Sequence, residues 1–210
     1  MALGHGPNIT SNDLVLNYDF SNTRSYSGSG LTINNLAQAS FGATLVDGPT
    51  YSSGYITLDG TNDYIQLTLP TLAAYTIMFW IYIISYDGTE RQILGTNGDN
   101  VGLSLVTGKF HIWNGTVPST NIGNTSFSTG VWYHVAYTRT GSSTKIYLNS
   151  QIDGSFATGN TISSGAATIG KISTLRYLNA RFENFVIYQS ELTAAQIAKN
   201  YYATKGRFGV

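Results

Sequence analysis

The chain of 210 residues contains no cysteine. Disulfides, thiolate metal sites and cysteine nucleophiles are thereby excluded. Charge is nearly as scarce: 11 basic residues stand against 11 acidic ones, and no basic stripe forms. Without that electrostatic footprint, nucleic acid is not an expected partner. No stretch approaches the roughly 20 apolar residues of a membrane helix, so no membrane partner is expected either. The opening MALGHGPNIT has no basic segment followed by an apolar run, which predicts synthesis in the cytoplasm without a leader. With so few charges, the surface must be hydrated by Ser, Thr, Asn, Gly and Tyr. Such a surface suits carbohydrate contact and a salt-insensitive structural protein alike, because salt screens charges and leaves neutral hydrogen bonds mostly alone.

What the chain does have is alternation. LVLNYDF (14–20), VGLSLVT (101–107), KFHIWN (109–114), VWYHVAYTR (131–139), TKIYLN (144–149) and RFENFVIYQ (181–189) interleave β-branched and aromatic residues with polar ones. That period of two reads as half-buried strands. YTIMFWIYII (75–84) is apolar on both faces, which predicts a strand in the middle of a sheet or under a further layer. Shorter strands are predicted at 31–36, 43–47, 93–96, 151–156 and 166–172, and two more within 55–67 around the turn Asp59-Gly60. Residues 48–54 read as a loop, Gly108 as a hairpin turn, and Asn149-Ser150 as another turn. Strands closely spaced by turns predict an all-β fold of two stacked antiparallel sheets. The period changes once. Thr193 followed by Gln196 makes a capping box, and Ile197 and Tyr201 share a helical face, so one short helix is predicted at about 194–201. A single domain over 14–202 is expected, between an extended arm (1–13) and a small tail (203–210).

Five segments in order resemble the laminin-G-like, concanavalin A-like family of lectins and glucanases. LVLNYDF looks like its first strand. ITLDGTNDYIQL is similar to F-D-G-x-x-D-Y, with Leu58 for Phe. YTIMFWIYI places Trp80 at the tryptophan of F-T-x-x-x-W. VWYHVAYTR with TKIYLNSQ is similar to W-x-H-V-A-x-T and its partner strand. ARFENFVIYQSELTAAQI looks like the closing motif. The resemblance implies a two-sheet jelly roll over about 14–202. Two positions depart from it: Glu183-Asn184 replace Asp-Glu, and Ser150 replaces the usual turn glycine, which suggests a slightly different hairpin. The two ends of the chain, with 23–36 and 45–54, resemble structural proteins of tailed bacteriophages that carry this fold.

That narrower resemblance implies a non-enzymatic virion protein, most simply a capsid decoration, forming homo-oligomers and docking on other virion proteins. Docking is expected through the N-terminal arm, with Leu3, His5 and Pro7, and through Arg207 and Phe208 of the tail. A tail-borne, carbohydrate-binding receptor protein is the alternative. A glycan hydrolase is a further one, but retaining hydrolysis needs two carboxyls about 5–5.5 Å apart. The three glutamates, Glu90, Glu183 and Glu191, do not make the Glu-x-Asp-x-x-Glu pattern of glucanases with this fold. His134 has no nucleophile or orienting acid in its motif, and is expected to be a packed histidine with its nitrogens satisfied.

No cofactor is required by these patterns. Calcium is the metal they would suit, since it takes oxygen ligands from carboxylates and amides. Its candidates are Asp59, Asp63, Asp99 and Asn100, with local turn formation as the plainer role of Asp59. Host polysaccharide is the candidate ligand. Sugar contact needs an aromatic face beside amide or acid groups. Trp113 with Asn114, Tyr86 with Asp87, and Tyr177 with Asn179 offer that pairing, whereas Trp80 and Trp132, among apolar strand neighbours, are expected in the core.

Overall fold

The computed structural model describes residues 8–96, 101–113, 121–171 and 176–209. In chain order its first strands are β1 (Leu14–Asp19), β2 (Thr32–Ile33), β3 (Ala43–Val46), β4 (Thr50–Ser52), β5 (Tyr55–Asp59), β6 (Tyr64–Leu69), β7 (Tyr75–Ile83) and β8 (Arg91–Thr96). They continue with β9 (Gly102–Val106), β10 (Lys109–Trp113), β11 (Ile122–Ser126), β12 (Trp132–Thr140), β13 (Ser143–Leu148), β14 (Gln151–Phe156), β15 (Gly165–Ile169) and β16 (Asn179–Tyr188). Helix α1 (Ala194–Thr204) and a 3-10 turn (Lys205–Arg207) follow. The strands form two antiparallel sheets. One runs β14-β13-β12-β7-β16-β5-β4, with β1 also on β16; the other runs β11-β10-β9-β8-β15-β6-β3-β2. This is the predicted sandwich with one short C-terminal helix.

The inner faces bury one core. From β7, Ile77, Phe79, Ile81 and Ile83 point into it. Phe79 stacks on Phe185 at 5.5 Å and lies 6.0 Å from Phe182 and 6.1 Å from Tyr137. The other face of β7 explains its unbroken apolar run. Met78 lies in a second cluster with Ala136, Tyr147, Val186, Tyr188, Leu192 and Ile197, the last from α1. The helix thus forms a third layer on part of the first sheet's outer face. Thr193 and Gln196 close the predicted capping box, and the helix runs on to Thr204.

Strand β16 organises this sheet through a bulge. Phe182 pairs with Ile81 and Phe185 with Phe79, so β16 carries one extra residue there. Before the bulge its free edge pairs with β5; after it, with β1. Glu183 and Asn184, the departure from the family pattern, occupy the bulge and are buried.

Four details differ from expectation. Residues 50–52, read as loop, form edge strand β4 against β5. Strand β11 has no alternating pattern and is held by β10 and by Asp153, whose Oδ1 accepts the Thr125 N–H at 2.9 Å. The hairpin at Ser150 keeps a two-residue turn: Asn149 and Ser150 take φ of 49° and 71°, the left-handed geometry glycine would supply. The Thr107-Gly108 turn has the same form, with Gly108 at φ 76° as predicted. The arm is not free throughout, since the Thr10 N–H donates to Asn200 Oδ1 at 2.7 Å and its carbonyl accepts from Tyr188 Oη at 2.9 Å.

Candidate functional site

Among the described residues, helix α1 and the tail after it cover only part of the outer sheet face. Strand alternation sets what it presents. Because Ile83, Ala180, Ile56 and Leu58 face the core, Tyr82, Asn179, Arg181, Tyr55, Thr57 and Asp59 face outward. Cross-strand pairing lines them up: Trp132 opposes Tyr82, Tyr82 opposes Arg181, Arg181 opposes Thr57, and Asn179 opposes Asp59. The result is an aromatic strip. Trp132 lies 5.5 Å from Tyr82 and 6.1 Å from Tyr55, and Phe208 lies 4.8 Å from Trp132. All four rings are half-buried. Trp132, expected in the core, sits here because no helix covers this end of β12. The guanidinium of Arg181 lies between Tyr55 and Tyr82, 5.0 and 4.9 Å from their centroids. Neither the strip nor Arg181 was singled out by sequence; the signal available was that Trp132 and Tyr55 share the parity of polar positions on their strands.

At its other end the strip meets a pocket of about 120 Å³ lined by Asp59, Gly60, Ser85, Asp87, Arg91, Tyr177 and Asn179. Four residues singled out separately as sugar or calcium candidates converge there. Gly60 has φ 78°, and a Cβ on it would lie 2.8 Å from the Asn179 Cβ, so glycine lets the turn close on Asn179. Asp59 is the turn-former: its Oδ1 accepts the N–H groups of Thr61 at 2.8 Å and Asn62 at 3.3 Å. Partial burial opposes ionisation, but those amides outweigh it and hold the carboxyl below its ordinary value. Asp87 accepts from the hydroxyl and amide of Thr89 and pairs with Arg91, which hold it down at about 2. Both carboxylates are therefore ionised acceptors at neutral pH.

The remaining candidates do not join this site. The ring of Tyr86 turns away from Asp87 to pack on Phe127 at 5.2 Å. Trp113 lies half-buried at the end of β10 in the other sheet. Asp63 is buried, its Oδ2 accepts the Asp59 N–H at 3.2 Å, and burial, with Asp59 nearby, raises its carboxyl. Among the described residues no three acids or histidines gather as a metal site. Asn114, Asp99, Asn100, Leu3, His5 and Pro7 lie outside the described residues.

The tail residues expected to dock elsewhere are fastened to the chain itself. Phe208 stacks on Trp80 at 4.0 Å. Arg207 Nη1 donates to Glu183 Oε1 at 2.7 Å and Asp19 Oδ1 at 3.0 Å, beside a polar cleft of about 290 Å³. Burial pushes the Glu183 carboxyl up to about 7 against the pull of Arg207. Arg207 bridges Glu183 and Asp19, so these two carboxyls are not free to act as a hydrolytic pair. Glu191 pairs with Lys145 and Glu90 with Arg176. Replacing Arg207 with alanine is expected to cost about 1–3 kcal/mol at pH 8, where the buried carboxylate loses its partner. At pH 5.5 Glu183 already holds its proton in the folded state, so the cost shrinks; urea unfolding at both pH values reads the difference.

His134 also departs from expectation: it is buried against Trp80 and Tyr201, but its Nδ1 has no hydrogen-bond partner among the described residues. Among the described residues no helix is long and apolar enough to cross a membrane.

The family described as the concanavalin A-like lectin/glucanases superfamily matches residues 59–198, two-thirds of the chain. No curated protein is similar enough in sequence to count as a relative. Among solved structures, Trypanosoma rangeli sialidase in complex with 2,3-difluorosialic acid matches with a TM-score of 0.73 and 15% identity, over 98% of this chain and 37% of that one. The same sialidase alone gives 0.72 and 16%, over 93% and 33%. A tryptophan-to-alanine variant of HCR/D gives 0.69 and 16%, over 91% and 51%. The chain thus spans about a third of the sialidase and half of HCR/D, and at these identities the likeness speaks for the fold. These findings overturn the expected virion role. Similar structures include sialidases and HCR/D, and the tail residues assigned to docking are held in the chain's own packing.

Proposed function

Because the chain belongs to the concanavalin A-like lectin/glucanase superfamily, we propose that it is a glycan-binding module that holds saccharide without cleaving it. The observation that carries this reading is the open strip of Tyr55, Tyr82 and Trp132 running into the pocket of Asp59, Asp87, Tyr177 and Asn179. A sugar ring has an apolar face and a rim of hydroxyls. Half-buried aromatic rings match the face, and fixed carboxylate and amide groups match the rim. Tyr177 lines the pocket, whereas Tyr55, Tyr82 and Trp132 stand together on the outer sheet face, so the strip is the stacking surface. The absence of turnover is supported by the carboxylates: those in the pocket are held as acceptors, and Glu183 with Asp19 is bridged by Arg207. Single-site affinity on so open a surface is low, and several copies on one support would raise it.

The test is calorimetric titration against an oligosaccharide panel, alongside a reducing-sugar release assay. Trp132→Ala and Tyr82→Ala should each weaken binding about tenfold or more, consistent with stacking of about 1.4 kcal/mol. Trp113→Ala should leave binding unchanged. Binding should survive EDTA, since Asp59 and Asp63 direct oxygens at backbone amides. Undiminished binding in both strip variants, or release of reducing ends, would count against the proposal.

A further inference from the structure

We infer that the glycan taken by this face carries a carboxylate, and that Arg181 recognises it. The inference rests on the glycan-binding reading of the outer face and adds the ligand's chemical class. Four other cations near the sheets have acidic partners: Arg91 with Asp87, Lys145 with Glu191, Arg176 with Glu90, and Arg207 with Asp19 and Glu183. Arg181 differs. Among the described residues its side chain makes no ion pair and no hydrogen bond, only the two ring contacts, and its Nε is buried without a partner. A buried donor left unpaired is costly, and native structures pair nearly all of them. Here the planar fork is held in place by Tyr55 and Tyr82 with its donors uncommitted.

That arrangement suits a carboxylate. Guanidinium meets carboxylate through two parallel N–H bonds, a geometry lysine cannot copy. The flanking rings thin the water around the charge and strengthen the attraction. The loop pocket adds direction. Arg181 is two residues from Asn179, whose partner across the strands is Asp59. A sugar lying along the strip meets an unpaired cation at one station and, at the next, Asp59 beside the Asp87–Arg91 ion pair. Its acid group is drawn to Arg181 and repelled from the pocket, while its hydroxyls can donate to the pocket's acceptors. The reversed orientation sets acid against acid. One ligand chemistry with two sources fits: a uronic acid within a polysaccharide, or a sialic acid at a glycan end.

The experiment titrates the full chain with trigalacturonate and sialyllactose, and with the methyl ester of each. The esters keep every sugar ring and remove the charge. The expected result is that at least one acid binds tenfold or more tightly than its neutral counterpart. That ratio should fall to near one in Arg181→Gln, remain partly in Arg181→Lys, and shrink with added salt. Whichever acid shows the ratio identifies the source. Equal binding of acid and neutral ligands by the unaltered chain overturns the inference and leaves the glycan-binding reading standing. No binding to any ligand of the panel overturns both. A ratio that persists in a folded Arg181→Gln overturns the assignment to Arg181. The comparison on the unaltered chain decides the first point even where a variant fails to fold.

Discussion

Replacing Trp80 with alanine lowers the unfolding free energy by about 3–5 kcal/mol, the range for removing a large buried aromatic. Trp80 is fully buried although it points away from the main core. Its ring stacks on Phe208 at 4.0 Å and lies 5.7 Å from Tyr201 and 5.3 Å from His134. Its Nε1–H donates to Thr204 Oγ1 at 2.8 Å. One side chain therefore joins β7, β12, the end of α1 and the tail. Its removal leaves a cavity where four elements meet and takes away the surface on which Phe208 rests. Trp80→Phe keeps one six-membered ring in the packing and loses the N–H with the rest of the indole, so it should cost distinctly less. Urea unfolding measures both. Trypsin gives a second reading, because Lys205 and Arg207 should be cut faster once the tail is released. A loss below about 1 kcal/mol for the alanine variant would show that the tail and helix hold without this ring.

The second large effect is acid destabilisation through two buried histidines. Burial drives His134 down to about 3 and His111 down to about 4, from an ordinary 6.5. The unfolded chain therefore binds more protons than the folded one below pH 6.5. The stabilisation is complete above 6.5 and is lost as pH falls toward each folded value. At pH 4 each histidine removes on the order of 3 kcal/mol. Glu183 acts in the opposite sense: its value is raised to about 7, so its contribution is full below its ordinary 4.5 and is lost as pH rises through 7. Stability should peak near pH 6.5 and fall steeply on the acid side. A series of urea midpoints from pH 8 to pH 4 checks the limb, and His134→Phe should flatten it. Parallel curves for the two proteins would rule out His134 as the cause.

The sandwich was readable in the sequence because alternation is a local property. β1, β5 and β6 declare their two faces residue by residue, and Thr193 with Gln196 fixes where the helix starts. What alternation does not encode is what lies over an outward face. Trp80 and Trp132 stand on adjacent strands and the same side of the sheet, yet one is under the helix and tail and the other is at the open end. Only the placement of α1 separates them. Strand β11 was hidden for another reason: Ile122–Ser126 is mostly polar and is recruited by neighbours on β10 and β14 rather than by its own pattern. Of the candidate site, Asp59, Asp87, Tyr177 and Asn179 were each visible as polar or aromatic groups near turns. Their meeting in one pocket depends on the β16–β5 register. Arg181 carried no motif at all; its meaning lies in the partners it lacks.

The pairing of β1 with β16 has a consequence for the protein's birth on the ribosome. Leu14 meets Tyr188, and Asp19 meets Asn184, so the first strand made can close only on the last. At about 5–20 residues per second, the intervening stretch takes roughly ten to thirty seconds to translate. From its own synthesis until β16 emerges, β7 lacks at least one of its two neighbours. The nascent chain must therefore keep a sticky central strand waiting until its closing segment emerges.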